Sequence, residues 1–232
     1  MNFKNKQVVI FDLDGTLVDS APDLANAINH MLVELGRVPF NQDTIHGWVG
    51  NGAQVLTERA LSGNQVIDPN LSPELTADAL AIFLSAYRAN VCVDSQLYAG
   101  VKTTMATLAK RGYRLAIVTN KPVEFVAPIL KALGLNGVFD IVLGGDSLAL
   151  KKPDPLPLSH VCQALGVTVE ECVMVGDSKN DIVAAKAAGM ESVGLTYGYN
   201  YGEDIAIYQP ELVLSDFSEL LNALPHLAVK KS

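Results

Sequence analysis

From Tyr98 onward, short apolar runs alternate with segments of helical spacing, and this rhythm leaves few folds open. Helices are expected over residues 101–111, 122–133, 156–165 and 179–188, closed in turn by Gly112, Gly134, Gly166 and Gly189. Between and after them lie the apolar runs 115–118, 141–143, 173–175, 193–195 and 212–214, and a last helix is expected over 217–224. Brief, unbroken apolar strands alternating with helices describe a parallel sheet covered on both faces.

The run Val8–Phe11 adds a strand of the same kind, but it breaks off at Asp12-Leu13-Asp14-Gly15-Thr16. A carboxylate at the end of a buried strand is costly unless something pairs with it. An Asp-Gly turn accounts for Asp14 and Gly15, not for Asp12 or the hydroxyl of Thr16. The pattern then turns helical. Ser20-Ala21-Pro22-Asp23 reads as a capped helix start, and Leu24, Ile28, Met31, Leu32 and Leu35 recur at helical spacing up to Gly36. Two more helices are expected over 53–61 and 73–88, with no strand between Asp19 and Val91. The expected fold is therefore α/β. A doubly wound, mainly parallel Rossmann-like sheet is built from residues 1–19 and 96–232, and an all-helical cap, residues 20–95, is inserted after the first strand.

Of the 232 residues, 49% are hydrophobic, enough for a substantial core. The net charge of −8 argues against a nucleic-acid groove or a polybasic membrane surface. Cys92, Cys162 and Cys172 are widely spaced and form no Cys-x-x-Cys pair, so neither a disulfide framework nor a zinc site is expected. The start, Met1 to Gln7, is polar and fits neither a signal peptide nor a membrane span. The expectation is a cytoplasmic monomer or small homo-oligomer with no nucleic-acid or membrane partner.

In a doubly wound sheet, ligands bind beyond the carboxyl ends of the strands. The residues that follow each apolar run are Asp12 and Asp14, then Thr119 and Asn120, then Lys151-Lys152-Pro153, then Gly176-Asp177-Ser178-Lys179-Asn180-Asp181. Each has an ordinary local explanation: a helix cap, a solvated lysine pair, acids favoured by a helix dipole. Together they bring acids, a hydroxyl, an amide and a lysine to one sheet edge. Asp12, Asp14, Asp177 and Asp181 crowded around a phosphate dianion would repel strongly, and Lys152 alone cannot balance them. A hard divalent ion can. Mg²⁺ takes carboxylates, water and a phosphate oxygen, whereas zinc is disfavoured without a histidine cluster.

In order and spacing, Asp12-Leu13-Asp14-Gly15-Thr16, Thr119-Asn120, Lys152-Pro153 and Gly176-Asp177 with Asp181 resemble the four motifs of the haloacid dehalogenase superfamily of phosphatases. The helical block resembles that superfamily's mobile cap. More narrowly, Trp48-Val49-Gly50-Asn51-Gly52-Ala53, Glu58-Arg59-Ala60-Leu61 and Lys151-Lys152-Pro153-Asp154-Pro155 resemble bacterial phosphoglycolate phosphatases. The resemblance implies that Asp12 attacks phosphorus and carries an aspartyl-phosphate, while Asp14 serves as general acid and base. It implies that Thr119 and the backbone N–H of Asn120 hold phosphoryl oxygens and that Lys152 neutralises charge. Mg²⁺ would sit on the Asp12 carboxylate, the Asp14 main-chain carbonyl and Asp177, with Asp181 in support. The implied substrate is a small phosphate ester, 2-phosphoglycolate. A sugar-phosphate phosphatase or a phosphomutase is the competing reading, and a phosphate-binding protein without turnover would not need both Asp12 and Asp14.

Between Ser20 and Ser95 there is no lysine, and the strong cations are Arg37, Arg59 and Arg88. Phosphonatase chemistry within that superfamily, which needs a cap lysine for a Schiff base, is thereby excluded. Dehalogenation is disfavoured because a leaving halide needs no acid. For the carboxylate of a small substrate the candidates are Asn51 and Gly52, opening a helix with free N–H groups, and Arg59 further along it. The connections near Asp19 and Ser95 are expected to act as hinges when the cap closes.

Overall fold

The computed structural model describes residues 3–227, so Met1 and Asn2 of the polar start, and residues 228–232, lie outside the described part. The chain opens with β1 (Val8–Phe11) and β2 (Val18–Asp19). It then builds α1 (Ala21–Glu34), α2 (Gln42–His46), α3 (Ala53–Ser62) and α4 (Pro73–Ala89) before β3 (Gln96–Leu97). The remainder alternates: α5 (Val101–Lys110), β4 (Arg114–Val118), α6 (Val123–Ala132), β5 (Ile141–Leu143), α7 (Leu156–Leu165), β6 (Cys172–Gly176), α8 (Lys179–Ala188), β7 (Glu191–Leu195), β8 (Leu212–Leu214) and α9 (Leu220–Ala223).

The main sheet has six strands in the order β5-β4-β1-β6-β7-β8. Every pairing in it is parallel. Alternate residues sort to opposite faces, as the pleat requires. Val8, Ile10, Ala116, Val118 and Met174 pack with Leu158 and Val161 of α7 and Ala184 and Ala185 of α8. Val9, Phe11, Leu115, Ile117, Val173 and Val175 belong to the other core, with Met105 of α5, Val126 of α6 and the inner faces of α1, α3 and α4. Burying each such side chain contributes roughly 1.5–3 kcal/mol, which is why the strands read as unbroken apolar runs. Among the described residues no helix is long and apolar enough to cross a membrane.

Register is what places the chemistry. Phe11 lies level with Ile117 of β4 and Val175 of β6. The residues that follow these strands therefore emerge together at one edge. The Asp12 N–H donates to Val175 at 3.0 Å and the Thr119 N–H to Leu143 at 3.0 Å.

The structure departs from the sequence reading at the seams of the helical block. An antiparallel ribbon, β2 with β3, pairs Val18 with Leu97 and Asp19 with Gln96 where the block enters and leaves. Helix α2 was not expected either; it is too short for a periodicity to register, and its start is fixed by the Asn41 side chain accepting the Thr44 N–H. Ser20 and Asp23 do not form the expected cap. The Ser20 hydroxyl donates to Asp14 Oδ1 at 2.6 Å. Asp23 accepts the N–H groups of Val93, Asp94 and Ser95, together with the Ser95 hydroxyl. A charged acceptor with that many donors ties the first helix of the block to its exit segment. The expected last helix divides into a 3₁₀ turn, Phe217–Glu219, and α9.

Candidate active site

Asp12 stands at the end of β1, buried, with Oδ1 accepting the Leu13 N–H at 2.7 Å and the Lys152 ammonium at 3.1 Å. Its Oδ2 receives no hydrogen bond from a described residue. Lys152, also buried, reaches Asp181 Oδ1 at 2.6 Å. The other oxygen of Asp181 accepts the Ser178 N–H and hydroxyl, so Asp181 caps α8 while it orients Lys152. Asp177 accepts the Thr16 hydroxyl on one oxygen and the Tyr199 N–H on the other, each at 2.5 Å. Gly15 adopts φ +88°, and a Cβ there would fall 2.3 Å from Asp177 Oδ2. The turn after β1 thus needs glycine for its backbone angle and for the approach of this carboxylate.

One carboxylate oxygen from each of Asp12, Asp177 and Asp181 lies within 4.8 Å of the others, all three residues being buried. Against them stands a single ammonium, Lys152. The imbalance appears in the proton affinities. Burial pushes the Asp12 carboxyl up to about 7; Lys152 pulls the other way, and Asp181 and Asp14 add to the rise. Burial, then Asp181 and Asp12, raise Asp177 well above the usual carboxylate range. Burial disfavours the charge on Lys152, but Asp12 and Asp181 outweigh it and hold the ammonium above its ordinary value. A buried cluster of hard oxygen donors with excess negative charge fits a divalent cation of the Mg²⁺ kind, and none of its donors is a soft ligand.

Asp14 lies outside this trio. Its carboxylate accepts Ser20 and is paired with Lys121 Nζ at 3.0 and 3.1 Å. Lys121 is buried, its ammonium 4.7 Å from the ring centre of Tyr87. Burial pushes the Tyr87 hydroxyl up to about 12, so it is protonated at neutral pH. Sequence reasoning singled out the Thr16 hydroxyl without giving it a partner, and it missed Lys121, Tyr87 and Tyr199. The signal for Lys121 was its place directly after Thr119-Asn120, at a strand end already assigned to the site. Tyr87 and Tyr199 reach the site only through tertiary packing.

A cavity of about 30 Å³ opens above the strand ends. Its polar side is Asp12, Asp14, Thr119, Asn120 and Lys121; its apolar side includes Leu24, Val49, Leu56 and Phe83 from the helical block, with Gly50, Gly52 and Ala53. Thr119 Oγ1 accepts the Lys121 N–H at 3.2 Å. The Asn120 amide donates to the carbonyls of Gly50 at 3.3 Å and Lys152 at 3.0 Å, leaving its buried Oδ1 without a partner among the described residues.

Loop 50–53 closes the cavity by backbone contacts. The Gly50 carbonyl accepts amides from both Asn120 and Asn180. The Asn51 carbonyl accepts Lys151 at 2.9 Å, and its side chain accepts the Tyr201 hydroxyl. Gly52 lines the cavity; Asn51 is held outward against Lys151 and Tyr201. Arg59 does not line it. Its guanidinium donates to the carbonyls of Trp48 at 2.7 Å and Gln65 at 3.0 Å and lies over the Tyr201 ring. The positive charge facing the cavity comes from the strand edge, as Lys121, and among the described residues no arginine of the helical block lines it.

Residues 6–189 match the model of the haloacid dehalogenase-like hydrolases, and the chain belongs to that family. A phosphoglycolate phosphatase of Colwellia psychrerythraea is 56% identical over 97% of this chain and 99% of its own. One from Psychrobacter arcticus is 48% identical over 95% and 96%. The crystal structure of a predicted phosphoglycolate phosphatase from Haemophilus somnus superposes with a TM-score of 0.88 at 40% identity, over 95% of this chain and 99% of that one. CbbY from Rhodobacter sphaeroides, crystallised in complex with phosphate, gives 0.76 at 26%, over 93% and 96%.

Proposed function

We propose that this chain is a magnesium-dependent phosphomonoesterase that hydrolyses 2-phosphoglycolate to glycolate and phosphate. The observation that carries the reading is Asp12, a buried carboxylate with one oxygen braced by Lys152 and the other without a partner among the described residues, on the wall of the cavity. In the proposed reaction that carboxylate attacks phosphorus. The ester oxygen leaves as Asp14 gives it a proton, and an aspartyl-phosphate remains on Asp12. Water then attacks phosphorus, Asp14 takes its proton, and phosphate departs with Asp12 restored. Thr119 and the Asn120 N–H hold the phosphoryl oxygens, and Lys152 offsets charge on the nucleophile and the phosphoryl group.

Asp12, the Asp14 main-chain carbonyl and Asp177, with Asp181 in support, would hold Mg²⁺. When bound, the ion supplies positive charge to the phosphoryl oxygens. The names of the close relatives support the substrate. Residues 20–95 act as the cap, hinged at the β2–β3 ribbon, and residues 1–19 and 96–232 as the catalytic core.

Phosphate release from 2-phosphoglycolate and a panel of small esters, with and without Mg²⁺, tests the reading. The expected result is Mg²⁺-dependent turnover ranked first on 2-phosphoglycolate and reduced by at least about 10³-fold in Asp12→Asn. Undiminished turnover in that variant, or a sugar phosphate at the head of the panel, overturns it.

A further inference from the structure

The cavity contains two groups that phosphoryl transfer does not use. One is the Lys121 ammonium, the lone cation among the described residues that line it. The other is the Tyr87 hydroxyl, fully buried and lining the same cavity; Lys121 lies close enough to act on its oxygen, but its own O–H finds no acceptor among the described residues. A buried hydroxyl left unpaired is destabilising and rare enough to need an explanation. An ammonium carries three donors, and the two Asp14 oxygens engage no more than two of those on Lys121. Each group therefore has donor capacity to give a ligand, and they are neighbours, with Nζ 4.7 Å from the Tyr87 ring centre.

We infer that Lys121 Nζ and Tyr87 Oη form a carboxylate subsite that selects phosphate esters bearing an anionic carboxylate one carbon from the ester oxygen. The inference rests on the proposed function and extends it to the residues that choose the substrate. Its geometry follows from Asp14, which touches Lys121 and, in the proposed reaction, the leaving oxygen. A group in contact with Asp14 is a near neighbour of that oxygen. A carboxylate joined to it through a single methylene falls beside Lys121, and its two oxygens match one ammonium and one hydroxyl. The remaining roof, Leu24, Val49, Leu56 and Phe83, has no charge to offer a second anion.

The test compares kcat/KM for 2-phosphoglycolate with that for ethyl phosphate, which replaces the carboxylate by a methyl group. Wild type is expected to prefer 2-phosphoglycolate. In Tyr87→Phe the preference falls by about threefold to tenfold, through KM. In Lys121→Met it falls by at least about tenfold, and Lys121→Arg recovers part of it because the charge is restored. Lys121→Gln carries the same expectation as Lys121→Met should that variant fail to fold. If Tyr87→Phe leaves the preference unchanged and the Lys121 variants lose both esters equally, Lys121 merely holds Asp14 and the subsite is overturned while the phosphatase reading stands. If wild type does not prefer 2-phosphoglycolate over ethyl phosphate, the substrate reading itself fails and takes the subsite with it.

Discussion

The two sides of the cavity are built by different means. On the strand edge each functional side chain is held by several contacts at once: Lys152 by Asp12 and Asp181, Asp181 by Ser178, Asp177 by Thr16 and Tyr199. On the side of the helical block, loop 50–53 meets the core through main-chain carbonyls and glycines, and the wall behind it is apolar. A side chain fixed by two or three charged partners cannot move without breaking a buried network. A loop docked by a few amide contacts can leave and return. The contrast teaches that charge placement in this fold rests on a buried network, while enclosure rests on a few amide contacts.

The largest expected effect breaks the strand-edge side. Lys152→Met leaves Asp12, Asp177 and Asp181 without their common cation, and removing one partner of a buried charge pair costs about 3–5 kcal/mol. A lower melting temperature is expected, with kcat reduced about 10²–10³-fold by the loss of charge stabilisation. Lys152→Arg is not expected to rescue activity, since a planar fork does not replace a point charge between Asp12 and Asp181. Steady-state kinetics and calorimetry check both parts, and a folded Lys152→Met enzyme with near-normal kcat would remove the residue from the chemistry.

A smaller effect, of a different kind, is expected on the other side. Gly52 has φ +90°, and a Cβ there would approach the Asn120 carbonyl to 2.9 Å. Gly52→Ala therefore opposes closure of the loop, its Cβ also falling 3.2 Å from Lys151 Nζ, without touching Asp12, Asp14, Lys152 or Asp177. KM for 2-phosphoglycolate should rise by roughly tenfold, with kcat at saturation changed by less than about threefold. A loss confined to kcat would contradict the division between enclosure and chemistry.

The same division explains what could be read from the sequence. Asp12, Thr119 and Asp177 follow closely on apolar runs and Lys152 follows one across a loop, and a parallel sheet forces such residues to one edge, so the four were visible as a set. What the block contributes depends on backbone direction and on contacts between residues far apart in the chain. Arg59 looked suitable because it was a cation near the expected anion site; its guanidinium instead holds the carbonyls of Trp48 and Gln65. Asp23, with the look of a capping acid, turned out to bind Val93, Asp94 and Ser95. Lys121 was hidden for the opposite reason. A lysine between Asn120 and Pro122 reads as a solvated helix-entry residue, and only the packing of α4 shows that Tyr87 covers it.

The smallest expected effect sharpens the account of the strand-edge side, through stability and pH. Without a divalent ion, burial holds the Asp12 carboxyl at about 7 and Asp177 above its ordinary range, whereas in the unfolded chain both titrate near 4. The folded state thus binds more protons between these values, so unfolding releases them and stability falls as pH rises. The contribution is complete below pH about 4 and is lost as pH passes through about 7. In the presence of a chelator, the melting temperature should decrease steadily from pH 5 to pH 7. Added Mg²⁺ should reverse the slope, because the ion competes with protons for the same oxygens and binds better as they ionise. Asp12→Asn separates this from the background titration of the remaining acids. It removes one of the raised carboxyls, so its slope with chelator should be shallower than that of wild type. Equal slopes in the two proteins would mean that the excess charge on the strand edge is relieved elsewhere, and the contrast between its fixed charges and the apolar roof would lose its electrostatic basis.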